Sequence, residues 1–376
     1  MRLKILNRID WMLVFFILPI ILAGLFTMKS FVSEGDAGIF FERQVTWVLV
    51  SFLVFFIFSF IDFRFLKRAD VLIFIFLFFC VLLFLLLAFG YESHGSKSWF
   101  DFEFFFFQPS DTMKLVLVLI LSKYFSRRHV EIHDVRHIFI SGFYALFPIL
   151  LVLLQPDFGS AMILFLIWLG MVLVSGISKL HLSLVFLAAA AVFAIMWMFI
   201  FAPYQKARII NFIHPMADIR GSGYNAYQST IAVGSGQFLG KGLGFGTQSR
   251  LKFLPEPESD FIFAAFSEEW GFVGSFILIS LYSLIIWRIL LFASYGAGNF
   301  EMLFGLGIAI FFMSHILINV GMNLGLLPVT GIPLPFMSYG GSHLLTEFAG
   351  LGILMSMRKY GRSVHKDDTK HEFLGA

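Results

Sequence analysis

Charge is what this chain has least of. Only 14% of its 376 residues are Asp, Glu, Lys or Arg, where a soluble domain carries roughly 25%. With 59% hydrophobic residues and a mean hydropathy of +0.87, that deficit excludes a water-soluble globule. It predicts one polytopic membrane domain over 1–376 with no separate soluble module. Cysteine is nearly absent too: Cys80 stands alone in an apolar run, so no intramolecular disulfide can form and the compartment cannot be read from cysteine usage. Fixed-period repeats and low-complexity linkers are missing. His94, His133, His137, His181, His214 and His343 show no metal-ligand spacing such as H-E-x-x-H. No motif therefore names a cofactor, and a divalent cation finds no ligand motif to support it. The net charge of +3 says little as a sum, and no nucleic-acid partner is expected. Phenylalanine is what there is most of. Its 52 copies, including the run Phe104 to Phe107, read as lipid-facing substitutes for Leu rather than as a binding site, because both insert at similar cost.

Arg2, Lys4 and Arg8 precede an apolar run from Trp11 to Met28 with no small-residue cleavage site after it, which predicts a retained signal-anchor helix. Further spans are expected at 46–61, 70–90, 112–125, 136–154, 161–176, 181–202, 261–290, 302–323 and 343–357, near the 17–25 residues a bilayer core needs. The predicted fold is all-α, with ten transmembrane helices and both termini on one side. Lysine and arginine choose the side. An N-terminus in the cytoplasm puts Arg64, Lys67, Arg68, Lys123, Arg127, Arg128, Arg136, Lys179, Arg288, Arg358, Lys359, Arg362, Lys366 and Lys370 inside with the first three. The short outer loops then hold Lys29, Arg43 and Lys97. That asymmetry predicts cytoplasmic termini, with a cytoplasmic tail from about 358.

The longest segment between spans, about 203–260 between the seventh and eighth helices, falls outside. A long polar loop in a compact membrane protein is uncommon unless it is functional. Together with the start of the following helix it carries Lys206, Arg208, Arg220, Lys241, Arg250 and Lys252, a glycine-dense middle, and Asp260 against an apolar helix. The glycines do not make a phosphate loop: Ser235 stands five before Gly240, and Gly242 follows Lys241. They more simply let the backbone bend and approach a ligand or helix. Ionisable groups near spans are the next signal. Asp111 and Lys114, three apart, share a helix face and can pair; Asp157 follows Gln155-Pro156; Glu268 and Glu269 lie two turns into the helix after Asp260. Each reads either as a polar tie between helices or as part of a site.

The run GLLPVTGIPLPFMSYGGS, Gly325 to Ser342, after Asn319-Val320-Gly321-Met322, resembles the signature of the SEDS family, the shape, elongation, division and sporulation proteins. Four further blocks match in order: GSKSW (Gly95 to Trp99), QPSDTMK (Gln108 to Lys114), QPDFGS (Gln155 to Ser160) and LPEPESDFIFAAFSEEWG within the loop region. VTGIPLP is closer to the rod-elongation branch, RodA, than to the division branch, FtsW; the sporulation branch is the third. The resemblance implies a ten-span peptidoglycan glycosyltransferase that polymerises lipid II beside a class B penicillin-binding protein and other elongation-complex membrane proteins. It implies Asp260 as the catalytic carboxylate, with Ser259 and Glu258 departing from the family pattern before it. Asp111 replaces the usual Glu, and His343 and Ser98 also depart from the pattern.

Lipid II carries a diphosphate, for which Lys114, Lys206, Arg208 and Lys241 are the available cations. Trp99, Asp157 and Ser338, carried by the matched blocks, complete the expected substrate-binding set. A sugar hydroxyl must lose a proton as it attacks, so Asp260 is expected to be partly desolvated to serve as a base. A lipid II flippase is the rival reading of the same intramembrane charges.

Overall fold

The computed structural model describes residues 9–31, 37–93, 96–102, 105–127, 135–199, 201, 203–214, 223–296 and 298–372. Arg2, Lys4, Arg8, His94, Gly95, Phe104, Arg128, His133 and Arg220 lie outside these residues. Of Lys359, Arg362, Lys366 and Lys370 only the helix that carries them is described.

The chain is helical almost throughout. Its helices are α1 (Trp11–Ser30), α2 (Ala37–Phe60), α3 (Ala69–Phe89), α4 (Pro109–Ser126), α5 (Val135–Leu154), α6 (Phe158–Val174), α7 (Lys179–Phe199), α8 (Pro203–Ile213), α9 (Tyr224–Ser235), α10 (Thr247–Arg250), α11 (Ile262–Ser294), α12 (Asn299–Asn323) and α13 (Gly341–Glu372). Among the described residues, seven segments are long and apolar enough to cross a membrane: α1, α3, α7, α11, α12 and most of α2 and α5. The shorter α6 is also apolar. Helices α4 and α13 coincide with expected spans but are not among the seven; α4 carries Asp111, Lys114 and Lys123, and α13 runs on into a polar second half. Helices also outrun the apolar stretches. Helix α2 starts at Ala37 rather than 46, because Glu42, Arg43 and Gln44 continue the turn beyond the hydrophobic run. Hydropathy marks where lipid ends, and backbone hydrogen bonding need not stop there.

Helices α4 and α12 form the centre. From Met113 to Ser122 every residue of α4 is buried, as expected of a largely apolar helix enclosed by others, with Lys114 buried as an ion pair. Small residues set the spacing: a Cβ on Gly307 of α12 would lie 2.5 Å from a Val118 methyl carbon of α4. The periphery is apolar outward. Phe74, Phe139 and Phe199 are 71, 73 and 81% exposed, which fits lipid-facing phenylalanine better than an aromatic site.

One end is closed by a charge clasp. Asp10 caps α1 by accepting from Leu13 N–H at 2.9 Å, and takes Arg288 of α11 at 2.7 Å and Arg358 of α13 at 3.1 Å. Burial opposes ionisation of Asp10, but the Arg288 contact, the Leu13 amide and Arg358 together hold it below the ordinary carboxylate value.

Two features were not legible as hydropathy. A small antiparallel sheet, β1 (Tyr91–Ser93), β2 (Ser96–Asp101) and β3 (Phe106–Phe107), follows α3, with Tyr91 opposite Trp99 and Phe100 opposite Phe107. The long loop region is itself largely structured, holding α8, α9 and α10.

Candidate active site

Asp260 sits two residues before α11, after Pro255 and Pro257 have kept the chain from entering the helix early. Three consecutive carbonyls around it are pinned. Tyr339 N–H donates to Glu258 O at 2.8 Å, Ser338 Oγ to Ser259 O at 2.6 Å, and the Asn319 and Asn323 amides each to Asp260 O at 3.1 Å. Asn323 Oδ1 also accepts from Ala264 N–H at 3.2 Å, an otherwise open donor in the first turn of α11. The main chain is thereby fixed from α12 and from the segment before α13. The carboxylate itself lies against the turn at Gly331, where a Cβ would stand 3.3 Å from Asp260 Oδ2.

The charge around Asp260 is predominantly negative. Its pKa is raised to about 7, first by burial and then by Glu256, with Arg208 opposing and Glu258 and Asp157 adding to the rise. Glu258 is raised as well, first by burial and then by Glu256, against Lys252. A groove opens beside the Gly331 turn between Pro156, Phe158, Phe201, Gln205, Arg208 and Thr330. It is apolar apart from Gln205, Arg208 and Thr330, a mixture suited to a ligand with an apolar part and an anionic part. Asp157 caps α6 by accepting from Ser160 N–H at 2.9 Å and takes Gln108 Nε2 at 3.2 Å, so its position is fixed.

The matched blocks converge here. Ser96 Oγ donates to Gln155 O at 2.8 Å, Gln108 N–H to Ser342 Oγ at 3.1 Å, and Ser338 joins the signature to the residues before Asp260. The expected binding residues divide into groups. Arg208, on α8, lines the groove; Lys206, on the same helix, lies over the Trp197 ring at 5.9 Å. Trp99 is half-buried on β2, and Ser338 is a buried backbone tie.

Lys114 does not line the groove. It is buried on α4, with Nζ 2.9 Å from Asp111 Oδ1, in a network that includes His343 Nδ1 at 3.8 Å from Asp111 and His343 Nε2 at 2.8 Å from Glu347. The His315 ring packs on His343 at 4.8 Å.

Lys241 is held by Glu268 at 2.7 Å and donates to Thr247 Oγ1 at 2.9 Å. Glu268, fully buried, also accepts from Thr247 Oγ1 and from Gln248 N–H at 3.1 Å. Helix α11 is broken at Gly271, whose φ of 65° and ψ of −162° suit glycine alone. The glycine-rich backbone fills that break: Lys241 and Gly242 N–H donate to the Glu268 and Glu269 carbonyls, and Phe272 and Val273 N–H donate to Gln237 and Phe238. A Cβ on Gly240 would stand 2.1 Å from Glu269 O, so a side chain there is excluded. Gly236 and Gly240 thus serve close approach to a helix.

The sequence reading missed the two asparagine amides that hold Asp260, and passed over Glu347, His315 and Glu301, each ionisable and buried in a helix. Such residues in an apolar run are a signal in themselves. Among the described residues no group of three or more His, Cys, Asp or Glu could hold a metal ion.

Known proteins resemble this chain in sequence and in fold. The FtsW/RodA/SpoVE family model, described as cell cycle protein, matches residues 5–363. "Peptidoglycan glycosyltransferase MrdB" of Escherichia coli K12 is 38% identical over 69% of this chain and 70% of its own length. "Stage V sporulation protein E" of Bacillus subtilis is 37% identical over 68% and 69%. Among solved structures, a chain from "Structural coordination of polymerization and crosslinking by a peptidoglycan synthase complex" superposes with a TM-score of 0.79 at 29% identity, over 94% of this chain and 98% of that one. The crystal structure of Thermus thermophilus rod shape determining protein RodA gives 0.69 at 27%, over 93% and 96%.

Proposed function

The chain belongs to the FtsW/RodA/SpoVE family of cell cycle proteins, and from that premise we propose that it is a peptidoglycan glycosyltransferase that polymerises lipid II during cell elongation. The observation that carries the mechanism is Asp260: a carboxylate with pKa raised to about 7 beside a groove lined by Arg208. A base works best when its pKa lies near the working pH. In this reading a sugar hydroxyl of one substrate gives its proton to Asp260 as its oxygen bonds to the anomeric carbon of the other. The bond from that carbon to the diphosphate breaks, and the diphosphate leaves with the electron pair. Arg208 and Lys206, both on α8, would meet the charge that builds on it. Attack opposite the departing group converts an α-linked diphosphate into a β-glycoside, and the leaving group requires no acid.

The same proposal takes in ten spans, cytoplasmic termini and the plasma membrane. A class B penicillin-binding protein is its partner, in keeping with the crosslinking named for the synthase complex. Purified protein given labelled lipid II should form polymer, and Asp260→Asn should lose it by about 10²–10⁴-fold while still binding lipid II. A flippase would make no polymer even as wild type. Undiminished polymerisation by Asp260→Asn would move the search for a base to Asp157 or Glu258.

A further inference from the structure

The glycine-rich segment carries a surface that a loop in water would not keep. Phe238, Leu239, Leu243, Phe245, Leu251 and Phe253 are 65, 77, 49, 69, 60 and 45% exposed. Single exposed apolar side chains are ordinary, whereas six within one short segment make a patch that needs an apolar partner.

The patch is rigidly aimed, because its backbone fills the break at Gly271 and Glu268 and Glu269 grip it from below. It is also continuous with the lipid-facing side of a candidate span. Phe238 stacks on Phe272 at 5.8 Å and Phe272 on Phe276 at 6.3 Å; these last two rings are 59 and 62% exposed along α11.

Depth follows from the helix. Arg288, in the charge clasp with Asp10 and Arg358, marks one membrane boundary. From Arg288 back to Gly271 is roughly 26 Å at 1.5 Å per residue, close to the roughly 30 Å of a hydrocarbon core. The break, and the segment docked in it, therefore lie at the opposite boundary, where Trp270 is 40% exposed as an interfacial aromatic. Lys241, Arg250 and Lys252 are interleaved with the apolar side chains. Apolar residues mixed with cations at this depth are the composition of an element lying in the lipid interface.

We propose that residues 236–253 are an interfacial membrane anchor. Their Phe and Leu side chains enter the acyl-chain boundary of the leaflet nearest Asp260, and Arg250 and Lys252 reach the lipid phosphates. Because the anchor is clamped to the helix that starts two residues after Asp260, it fixes how deep that carboxylate sits relative to the lipid surface. The anchor stands on exposure and geometry alone; the value of that depth to a lipid-linked substrate rests on the proposed glycosyltransferase reading.

The test uses the full chain with Cys80→Ala as background and single substitutions Leu243→Cys, Phe245→Cys and Leu251→Cys, each carrying a bimane fluorophore. Phe276→Cys serves as the lipid-facing reference and Asn225→Cys as the exposed one. The protein is reconstituted without any partner into phosphatidylcholine vesicles containing a minor fraction of phosphatidylglycerol and lipids brominated along the acyl chain. The three anchor positions should be quenched like Phe276→Cys and, before bimane labelling, should resist an impermeant maleimide. Quenching no greater than at Asn225→Cys, with fast maleimide labelling, would overturn the anchor and leave the patch to a protein partner. The result is independent of polymerase activity, so failure of the catalytic reading and failure of the anchor are distinguishable.

Discussion

Asp260 can accept a proton only when ionised, and burial with Glu256 holds it protonated up to about pH 7. Polymerisation should fall as pH drops below about 7 and level off above it, read as the acid limb of the pH–rate profile. Its neighbours give the sign of further shifts. Arg208→Gln removes a cation that lowers the pKa, so the acid limb should move to higher pH; Glu256→Gln removes a raising charge and should move it lower. Shifts in the reverse sense would show that the limb belongs to another group. Stability has its own sign. The folded chain holds this proton more tightly than the unfolded chain, so ionising Asp260 subtracts stability as pH rises from the ordinary value of 3.8 through about 7. Asp260→Asn should therefore melt no lower than wild type at pH 8, which separates lost chemistry from lost fold. Asp260, Arg208 and Asp157 were legible in the sequence because each is a charge bordering an apolar run. Asn319 and Asn323 were not legible as holders of Asp260, since an amide that meets a carbonyl about sixty residues away does so through tertiary approach, and local pattern carries no trace of it.

Among the elements, α4, α12 and α13 are tied by one buried polar network and α11 is tied to the glycine-rich segment by another. Lys114 is 1% exposed with Asp111 as its partner, and breaking a buried pair costs about 3–5 kcal/mol while replacing both partners with apolar residues can be neutral. Lys114→Gln should lower the melting temperature, and Lys114→Met with Asp111→Leu should recover much of it. Loss of polymerisation by Lys114→Gln at an unchanged melting temperature would instead mark Lys114 as a substrate contact. Glu268 takes Lys241, Thr247 and the Gln248 amide together. Glu268→Gln should accordingly destabilise the protein by a similar amount and leave residues 236–253 open to added protease. An intact segment after that substitution would show that the backbone bonds at the Gly271 break suffice. Apolar run length made the helices legible, because a helix in lipid must satisfy its own backbone. It could not show the break at Gly271, since a loop inserted from about thirty residues earlier supplies the missing partners and leaves the hydropathy of α11 unbroken.

For the whole molecule, orientation is a matter of charge. Helices long enough to cross do not by themselves distinguish the two orientations; the bias of Lys and Arg between the two sets of connections does. The clasp of Asp10, Arg288 and Arg358 lies at the end that carries Arg64, Lys67, Arg68 and Lys123, and Asp260 with its groove lies toward the other. If the basic end is cytoplasmic, the candidate site faces outward, where a lipid-linked sugar donor must be presented for polymer to grow outside the cell. With Cys80→Ala as background, Asn225→Cys beside the glycine-rich segment should react with an impermeant thiol reagent in intact cells. Ser363→Cys in the C-terminal segment should react only after the cells are opened. Labelling of Ser363→Cys in intact cells would reverse the orientation, put Asp260 on the cytoplasmic face and remove the geometric basis for extracellular polymerisation.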